Sequence, residues 1–262
     1  MMKIKLLEVK SLKKYFYIKS SILSSKRVIK AVKTANFYVN QNEVFGLIGE
    51  SGSGKTTISN IIMGIYDATE GEIFFNGKSN KEWLKKHNVA NYRKDVQIVF
   101  QQSKEVLDPK RTVEQLLKTS LKLHKIVPKD EFDNEIDRLL SIVGLNPLDK
   151  TKKPTAFSGG QLQRICIARA LSVRPKLIIL DEPVSALDVS VQGQIINLLM
   201  ELKEKETLTY ILISHDLNVV KHMCDRIAVM KDGEIVEIAE TEKMFNAPQA
   251  AYTKELIESI YE

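Results

Sequence analysis

A glycine-rich segment between a predicted strand and a predicted helix constrains this chain more than any other feature. Residues 43–48 form an apolar run of strand length, and residues 56–66 have the pattern of a helix. Residues 49–56 lie between them and match the pattern G-x-x-x-x-G-K-[ST] in full. Glycines let the backbone turn so that successive N–H groups converge on an anion. The sequence therefore predicts a phosphate-binding loop at the end of this strand.

Two side chains give this loop its chemistry. Lys55 is expected to reach the β- and γ-phosphates of a nucleotide, and the Thr56 hydroxyl is expected to bind Mg²⁺. The alternative interpretation is a glycine-rich turn that carries an unrelated lysine. The residues expected to bind the nucleotide in this segment are Gly49, Glu50, Ser51, Gly52, Ser53, Gly54, Lys55, Thr56 and Thr57.

Two adjacent carboxylates follow a second apolar strand, predicted at residues 176–180. Asp181 is expected to hold Mg²⁺ through water, and Glu182 is expected to face the γ-phosphate and act as the general base for an attacking water. Unpaired charge is costly to bury beside an apolar strand, which argues for a role in binding. The alternative interpretation is that the pair forms an acidic N-cap for the next helix.

The rest of the chain alternates strand-like and helical segments, which predicts an α/β protein with a largely parallel sheet. Between about residue 113 and residue 171 the strand signals vanish, and three amphipathic segments predict a helical insertion. Asp232-Gly233 between two apolar runs predicts a two-residue hairpin. Further strands are predicted at residues 71–77, 96–100 and 209–213, and helices at residues 131–143, 161–171 and 191–205.

Composition excludes several classes of protein. The chain has 262 residues, of which 44% are hydrophobic and 27% charged, as in ordinary globular domains. No apolar run reaches the roughly 18 residues of a membrane-spanning helix. The first residues carry charges every few positions, so no secretory signal is expected. Cys166 and Cys224 lie far apart, which favours a reducing compartment and offers no zinc motif.

The positive charge is concentrated near the start of the chain. The net charge is +6, and the first forty residues carry ten basic side chains against one glutamate, Glu8. Such a segment could steer an anionic ligand or lie near anionic lipid headgroups. A solvated lysine-rich surface is the simpler interpretation and the one we favour.

A third motif lies between the phosphate loop and the acidic pair. Residues 157–161, Phe-Ser-Gly-Gly-Gln, resemble the signature motif of the ATP-binding-cassette (ABC) ATPases, with Phe157 in place of the commoner leucine. The resemblance implies that two subunits dimerise and that the signature of one closes on the γ-phosphate held by the other. The alternative is an ordinary serine-capped helix, which does not explain the Gly-Gly-Gln. The residues expected to contact the partner's nucleotide are Ser158, Gly159, Gly160 and Gln161.

The remaining elements of the ABC family follow in order along the chain. Gln101 matches the Q-loop glutamine, which the family uses to bind the metal and to sense the γ-phosphate. Asp188 ends a segment, Ser185-Ala186-Leu187-Asp188, that is similar to the dimer-facing D-loop. His215 matches the switch histidine, which hydrogen-bonds the γ-phosphate and orients water.

Adenine requires an aromatic stacking surface, and the family carries one upstream of the phosphate loop. Phe16 occupies that position by the family's spacing, with Tyr15 and Tyr17 as alternatives. Simple alternation of aromatic residues in an N-terminal strand would also explain the three rings.

The resemblance covers nearly the whole chain and implies a P-loop NTPase fold of the α/β class. This fold has a RecA-like core, an antiparallel β subdomain and a helical insertion. It implies one nucleotide-binding domain over residues 1–262, with the helical subdomain at about 103–173. Residues 181–190 and 247–253 look like those of peptide and nickel importers. Two features depart from that group: Gln102-Ser103 replaces the usual Asp-Pro, and the longer C-terminal extension of many members is missing.

The resemblance therefore implies an ATPase subunit that energises a bacterial importer of di- or oligopeptides, or of nickel and metal chelates. ATP and Mg²⁺ are the implied cofactors. The implied partners are integral-membrane permease subunits, a second ATPase subunit that is identical or paralogous, and indirectly an extracytoplasmic solute-binding protein. The implied location is the cytoplasmic face of the membrane, with no nucleic-acid partner. The alternatives are the ATPase of an exporter or lipoprotein-release system, and a nucleic-acid-associated ABC ATPase.

Overall fold

The computed structural model describes residues 4–18 and 27–259, and the chain divides into two compact units. The first unit consists of Met1–Val89 and Ile211–Glu262, and the second of Ala90–Tyr210. Lys3, Lys19 and Lys26 of the basic N-terminal segment lie outside the described residues.

The described chain alternates strands and helices in the order that an α/β protein requires. The strands are β1 (Lys5–Ile18), β2 (Arg27–Asn40), β3 (Val44–Ile48), β4 (Glu70–Phe75), β5 (Lys78–Ser79), β6 (Val96–Val99), β7 (Leu177–Asp181), β8 (Thr209–Ile213), β9 (Arg226–Lys231) and β10 (Glu234–Glu240). The helices are α1 (Lys55–Ile62), α2 (Asn80–Trp83), α3 (Val89–Asp95), α4 (Ser103–Val106), α5 (Val113–His124), α6 (Phe132–Ile142), α7 (Gly159–Leu171), α8 (Val189–Glu206), α9 (Leu217–Met223), α10 (Thr241–Asn246) and α11 (Ala251–Glu258). Short 3₁₀ helices span Lys129–Glu131, Pro147–Thr151 and Pro154–Ala156.

The first unit contains an antiparallel set of strands, of which the sequence pattern located only β4, within the strand predicted at residues 71–77. β1 pairs with β2 on one side and with β4 on the other, and β4 pairs with β5. Leu7, Val9 and Leu12 of β1 are buried, whereas lysines occupy many of the remaining positions of this strand. The expectation of a largely parallel sheet is therefore wrong for this part of the chain. The antiparallel β subdomain implied by the family resemblance accounts for it.

A second part of the first unit positions the glycine-rich segment. β3 is buried along its whole length and runs parallel to β9, with Ile48 opposite Val229. β9 and β10 form the predicted hairpin, whose turn residues Asp232 and Gly233 have φ values of 49° and 84°. Positive φ at both positions is the conformation of a type I′ turn, which matches the twist of the flanking strands. The turn therefore lies beside the end of β3.

The second unit contains the predicted helical stretch. β6 and β7 are parallel, and the described segment between them, residues 100–176, contains helices and turns but no strand. A capping box begins α5: the Thr112 hydroxyl accepts from the Gln115 N–H, and the Gln115 side chain accepts from the Thr112 N–H. The buried face of α6 includes Ile136, Leu139 and Leu140, which gives this stretch its own apolar core.

One predicted helix is shorter than its pattern suggested. The helix predicted at residues 56–66 ends at Ile62 as α1, because Gly64 adopts a φ of 70°. A Cβ atom at Gly64 would lie 2.5 Å from Leu84 Cδ2, so this turn requires a glycine. Within the residues that the structure describes, no helix combines the length and the apolar content needed to cross a membrane.

Candidate nucleotide site

The glycine-rich loop has a backbone that only glycine adopts easily. Gly49, Gly52 and Gly54 have φ values of 143°, 82° and 111°. A Cβ atom would lie 2.0 Å from the Met230 carbonyl oxygen at Gly49, and 2.3 Å from the Ala31 carbonyl oxygen at Gly54. Both conformation and close packing therefore explain the glycines of the motif.

The loop holds the Lys55 ammonium group inside its curve. Lys55 Nζ donates to the carbonyl oxygens of Gly49 at 2.7 Å and Glu50 at 2.8 Å, and to Ser53 Oγ at 3.3 Å. The residue is only 7% exposed. These oxygens compensate the buried charge and place it where an anion bound by the loop would meet it.

The first turn of α1 adds to the attraction for an anion. The helix begins at Lys55, directly after Gly54, and its first turn contains no acidic residue. The first backbone N–H groups of a helix have no partner within the helix and carry partial positive charge. Thr56 is exposed at this end and Thr57 is half-buried, so the Thr56 hydroxyl is accessible.

Residues far along the chain support the loop, and sequence analysis missed them. The Gly233 N–H in the hairpin turn donates to the Ser53 carbonyl oxygen at 3.0 Å. The Glu50 N–H donates to the Tyr252 hydroxyl oxygen at 3.3 Å. The Asp-Gly dipeptide signalled the turn, but no local signal showed that the turn would contact the loop.

His215 lies in the same unit as the loop. It is exposed, and it follows β8, the strand next to β3 in the sheet order. The residues on either side of it are fixed: the Asp216 N–H donates to Ser214 Oγ at 3.0 Å, and Asp216 Oδ1 caps α9 by accepting from the Asn218 N–H at 2.9 Å. The chain is thus held on both sides of the histidine.

Phe16 contacts the segment that follows α1. Its ring meets the Tyr66 ring edge-on, with centroids 5.5 Å apart, and Lys14 Nζ lies 4.9 Å from the Phe16 centroid. Tyr17 is 63% exposed, and Tyr15 lies under Lys30 instead. The three aromatic residues do lie in a strand, β1, as the alternative interpretation required. Tyr66 was not predicted from the sequence.

In the second unit, the acidic pair ends β7 in an unusual conformation. Asp181 is the last residue of the strand, and Glu182 has a φ of 49°, in the left-handed region that non-glycine residues seldom adopt. The Glu182 carbonyl oxygen accepts from Ser185 Oγ at 3.2 Å. The next helix, α8, begins at Val189 with Asp188 in the N-cap position, so the pair is not its N-cap. Backbone strain of this kind concentrates at functional sites.

Asp181 is the last residue of β7, and Gln101 lies shortly after the end of β6, the adjacent parallel strand. Val99 of β6 pairs with Leu180 of β7, so the two residues leave the sheet at the same edge. Gln101 is exposed. With its amide oriented so that nitrogen faces Glu105, Gln102 donates to the Glu105 carboxylate at 2.7 Å.

The turn between the acidic pair and α8 is fixed by one side chain. Gln192 Nε2 donates to the carbonyl oxygens of Val184 at 3.2 Å and Leu187 at 3.0 Å. Asp188, at the end of this turn, is exposed and makes no side-chain capping bond. The Asp188 carboxylate is therefore accessible to solvent, and the hydrogen bonds of Gln192 hold the backbone that precedes it.

The predicted signature motif begins α7. Ser158 is the N-cap and forms a capping box with Gln161: Ser158 Oγ accepts from the Gln161 N–H at 3.4 Å, and Gln161 Oε1 accepts from the Ser158 N–H at 3.0 Å. A Cβ atom at Gly160 would lie 2.5 Å from Val191 Cγ1 of α8. Part of the Gly-Gly-Gln pattern thus has a packing explanation, which sequence analysis did not supply.

The predicted residues divide between the two units. The first unit holds Phe16, the loop at residues 49–57 and His215, and the second holds the others. Those in the second unit are Gln101, Ser158, Gly159, Gly160, Gln161, Asp181, Glu182 and Asp188.

Comparisons with known proteins identify the family. The family model described as ABC transporter matches residues 32–185. The oligopeptide transport ATP-binding protein OppF of Streptococcus mutans is 45% identical over 235 residues, which are 89% of this chain and 76% of that protein. The dipeptide transport ATP-binding protein DppF of Lactococcus lactis subsp. cremoris is 45% identical over 234 residues, 88% of this chain and 75% of that protein.

A solved structure of the ATP-binding cassette MJ0796, a dimer in a post-hydrolysis state bound to ADP and Pi, shares the fold. It has a TM-score of 0.76 and 29% identity, and the match covers 90% of this chain and 98% of that one. The chain belongs to the ATP-binding subunits of the ABC transporter family. The predictions of a P-loop NTPase fold, of ATP as the bound nucleotide and of ATP hydrolysis coupled to transport are confirmed.

Proposed function

We propose that this chain hydrolyses ATP to drive the import of di- or oligopeptides. The support is the similarity to OppF and DppF, whose names describe oligopeptide and dipeptide transport. These names favour peptides over nickel and metal chelates, the other substrates that the sequence left open. The observation that carries the ATP-hydrolysing part of the proposal is the loop at residues 49–56, whose glycines have positive φ and whose carbonyl oxygens hold the Lys55 ammonium group.

The side chains proposed as metal ligands carry oxygen atoms of the kind that Mg²⁺ binds. Thr56 offers a hydroxyl in the first turn of α1, and Gln101 and Asp181 offer an amide and a carboxylate oxygen at adjacent strand ends. Mg²⁺ prefers such oxygen ligands and keeps water and phosphate oxygens as its other ligands. When bound, the ion would neutralise charge on the β- and γ-phosphates.

Glu182 is the proposed general base. Its carboxylate takes a proton from a water molecule while the water oxygen forms a bond to the γ-phosphorus. The bond from that phosphorus to the bridging oxygen breaks, and the electron pair leaves with ADP. His215 hydrogen-bonds the γ-phosphate and orients the water. Phe16 stacks on adenine.

The signature residues act on the nucleotide of a second subunit. Ser158 Oγ accepts a hydrogen bond within its own capping box, and a hydroxyl that accepts one bond still has its O–H to donate. Ser158 and Gln161 are exposed at the N-terminus of α7, where the partial positive charge favours phosphate. Asp188 faces the same partner, which is a second copy of this chain or a paralogue.

The transport role supplies the other partners. We place the chain at the cytoplasmic face of the membrane, on integral-membrane permease subunits that receive peptide from an extracytoplasmic solute-binding protein. The role requires Mg²⁺ and no nucleic acid. The proposed architecture is one nucleotide-binding domain over residues 1–262, with a helical subdomain at about 103–173 that docks on the permease.

A single substitution tests the catalytic part. Glu182→Gln is expected to bind ATP as tightly as the wild type, to lose at least about a hundredfold in turnover, and to accumulate an ATP-bound dimer. Binding is measured by titration, turnover by phosphate release and dimerisation by size-exclusion chromatography. Glu201→Gln is the matched control, because Glu201 is exposed on α8 and pairs with Lys205. Wild-type turnover in Glu182→Gln would remove Glu182 from the role of base.

Reconstitution tests the substrate. The chain, its permease subunits and the partner ATPase are placed in proteoliposomes with the solute-binding protein outside. We expect a labelled peptide to accumulate inside and the ATPase rate to rise when peptide is present. Accumulation of nickel or a metal chelate instead of peptide would overturn the proposed substrate class.

A further inference from the structure

The C-terminal helix contributes a side chain to the phosphate loop. The Glu50 N–H donates to the Tyr252 hydroxyl oxygen at 3.3 Å, and Tyr252 is only 8% exposed. The Glu50 carbonyl oxygen accepts from Lys55 Nζ at 2.8 Å. Glu50 is therefore held from two directions, by the lysine that belongs to the loop and by a tyrosine of α11.

The position of Tyr252 is itself fixed by charged groups. Glu237 of β10 accepts from the backbone N–H groups of Gln249 and Ala250, each at 2.9 Å, and so anchors the start of α11 to the hairpin. Lys231 Nζ lies 4.2 Å from the Tyr252 ring centroid, a cation–π contact. The tyrosine hydroxyl is thus aimed at the loop by a rigid support.

The β9–β10 hairpin and α11 both contact the phosphate loop. The hairpin turn donates from the Gly233 N–H to the Ser53 carbonyl oxygen at 3.0 Å, and the Met230 carbonyl oxygen leaves no room for a Cβ atom at Gly49. Together with the Tyr252 bond, these contacts place the β9–β10 hairpin and α11 against the loop at Gly49, Glu50 and Ser53. A loop held before nucleotide arrives loses less conformational freedom on binding, which raises affinity.

We propose that Tyr252 is a positioning residue for ATP binding, acting through the Glu50 backbone and not by touching the nucleotide. This rests on the proposed role of residues 49–56 as the phosphate site. It gives a physical task to the Ala-Pro-Gln-Ala-Ala-Tyr-Thr segment at residues 247–253, to which the catalytic steps assign none.

The decisive variant is Tyr252→Phe, which keeps the ring and its contact with Lys231 but removes the hydroxyl. Loss of this hydrogen bond is expected to raise the dissociation constant for ATP about three- to tenfold. The KM for ATP should rise in parallel, whereas kcat at saturating ATP should stay unchanged, because the chemical groups are untouched. Tyr210→Phe is the matched control: its buried hydroxyl donates to the Leu199 carbonyl oxygen at 3.0 Å, in the second unit.

A second variant tests the hydrogen bonds by which Glu237 holds the start of α11. Glu237→Gln weakens the anchor of α11 and is expected to raise the dissociation constant in the same direction. Combined with Tyr252→Phe it should add little, because both act through one hydrogen bond. Fully additive effects would contradict this linkage.

The outcomes separate this inference from the proposed function. An unchanged dissociation constant in Tyr252→Phe, or an equal increase in Tyr210→Phe, overturns the positioning role. Lys55→Ala is measured alongside and is expected to lose ATP binding. If Lys55→Ala binds ATP like the wild type, the loop assignment fails instead.

Discussion

Replacing Gly160 by alanine is expected to lower the free energy of unfolding, although alanine is the better helix former. Gly160 is the second residue of α7, and a Cβ atom there would lie 2.5 Å from Val191 Cγ1 in α8. Valine is stiff at χ1 within a helix, so the contact is relieved only by moving a helix. Overpacking of this kind costs about 1–3 kcal/mol. The gain in helix propensity is about 1 kcal/mol, which leaves a net loss of up to roughly 2 kcal/mol.

The partner side chain provides a test in which the sign reverses. In a Val191→Ala background the obstructing methyl groups are gone, and Gly160→Ala is expected to become neutral or to stabilise the protein by up to about 1 kcal/mol. Urea unfolding of the wild type, both single variants and the double variant gives the coupling free energy, expected to exceed about 1 kcal/mol. Gly193→Ala is the control: Gly193 lies within α8, and a Cβ atom there would meet nothing within 4 Å. It should stabilise the protein in either background.

Equal destabilisation by Gly160→Ala in both backgrounds would refute the packing argument, because Val191 would then not be the obstacle. The ATPase rate adds a second measurement. Gly160→Ala is expected to lower the ATPase rate. If packing against Val191 is the reason for the glycine, the double variant should recover most of that loss.

Two further predictions concern the loop and the second unit. Gly49→Ala is expected to abolish ATP binding in a fluorescent-nucleotide titration, since its Cβ atom would lie 2.0 Å from the Met230 carbonyl oxygen. A Cβ atom at Gly52 would meet no atom within 4 Å, so Gly52→Ala should weaken the free energy of ATP binding by only about 1–2 kcal/mol, the cost of its positive φ. Equal losses in the two variants would contradict this reasoning. Burial alone would raise the pKa of Glu135, but the guanidinium groups of Arg138 and Arg174 outweigh it and hold the pKa below its ordinary value of 4.5. This pairing therefore stabilises the protein above about pH 4.5 and is lost as the pH falls through the lower folded-state pKa. The urea midpoint of the wild type should fall more steeply below pH 4.5 than that of Glu135→Gln, and parallel profiles would rule the pairing out as a source of acid sensitivity.

Features encoded by short segments were predictable from the sequence. The Asp232-Gly233 turn was predictable because two positive φ angles in succession favour these residue types. The cap of α7 was predictable because Ser158 stands at the start of a helical pattern. The phosphate loop was predictable because its glycines, lysine and threonine lie within one short stretch between a strand and a helix.

Features that depend on distant residues were not predictable. β1 was predicted only as an alternative explanation of its aromatic residues, because lysines interrupt its apolar residues and a bulge near Ser11, which has a φ of 47°, breaks its alternation. The contacts of Met230, Gly233 and Tyr252 with the loop arise only when β9 lies beside β3. A sequence motif identifies the loop, whereas the groups that fix its shape come from the far end of the chain.

Ser158 illustrates how one residue can have a structural and a functional role together. Its capping box satisfies N–H groups at the start of α7, and the neighbouring Gly160 allows α7 to approach α8. Neither contact uses the O–H of Ser158 as a donor, because in the cap its oxygen only accepts. An alanine at residue 158 would therefore remove the cap and the phosphate donor at once, and its loss of activity could not be assigned to either. Asparagine and aspartate cap as well as serine, so only a comparison among capping residues separates the two roles.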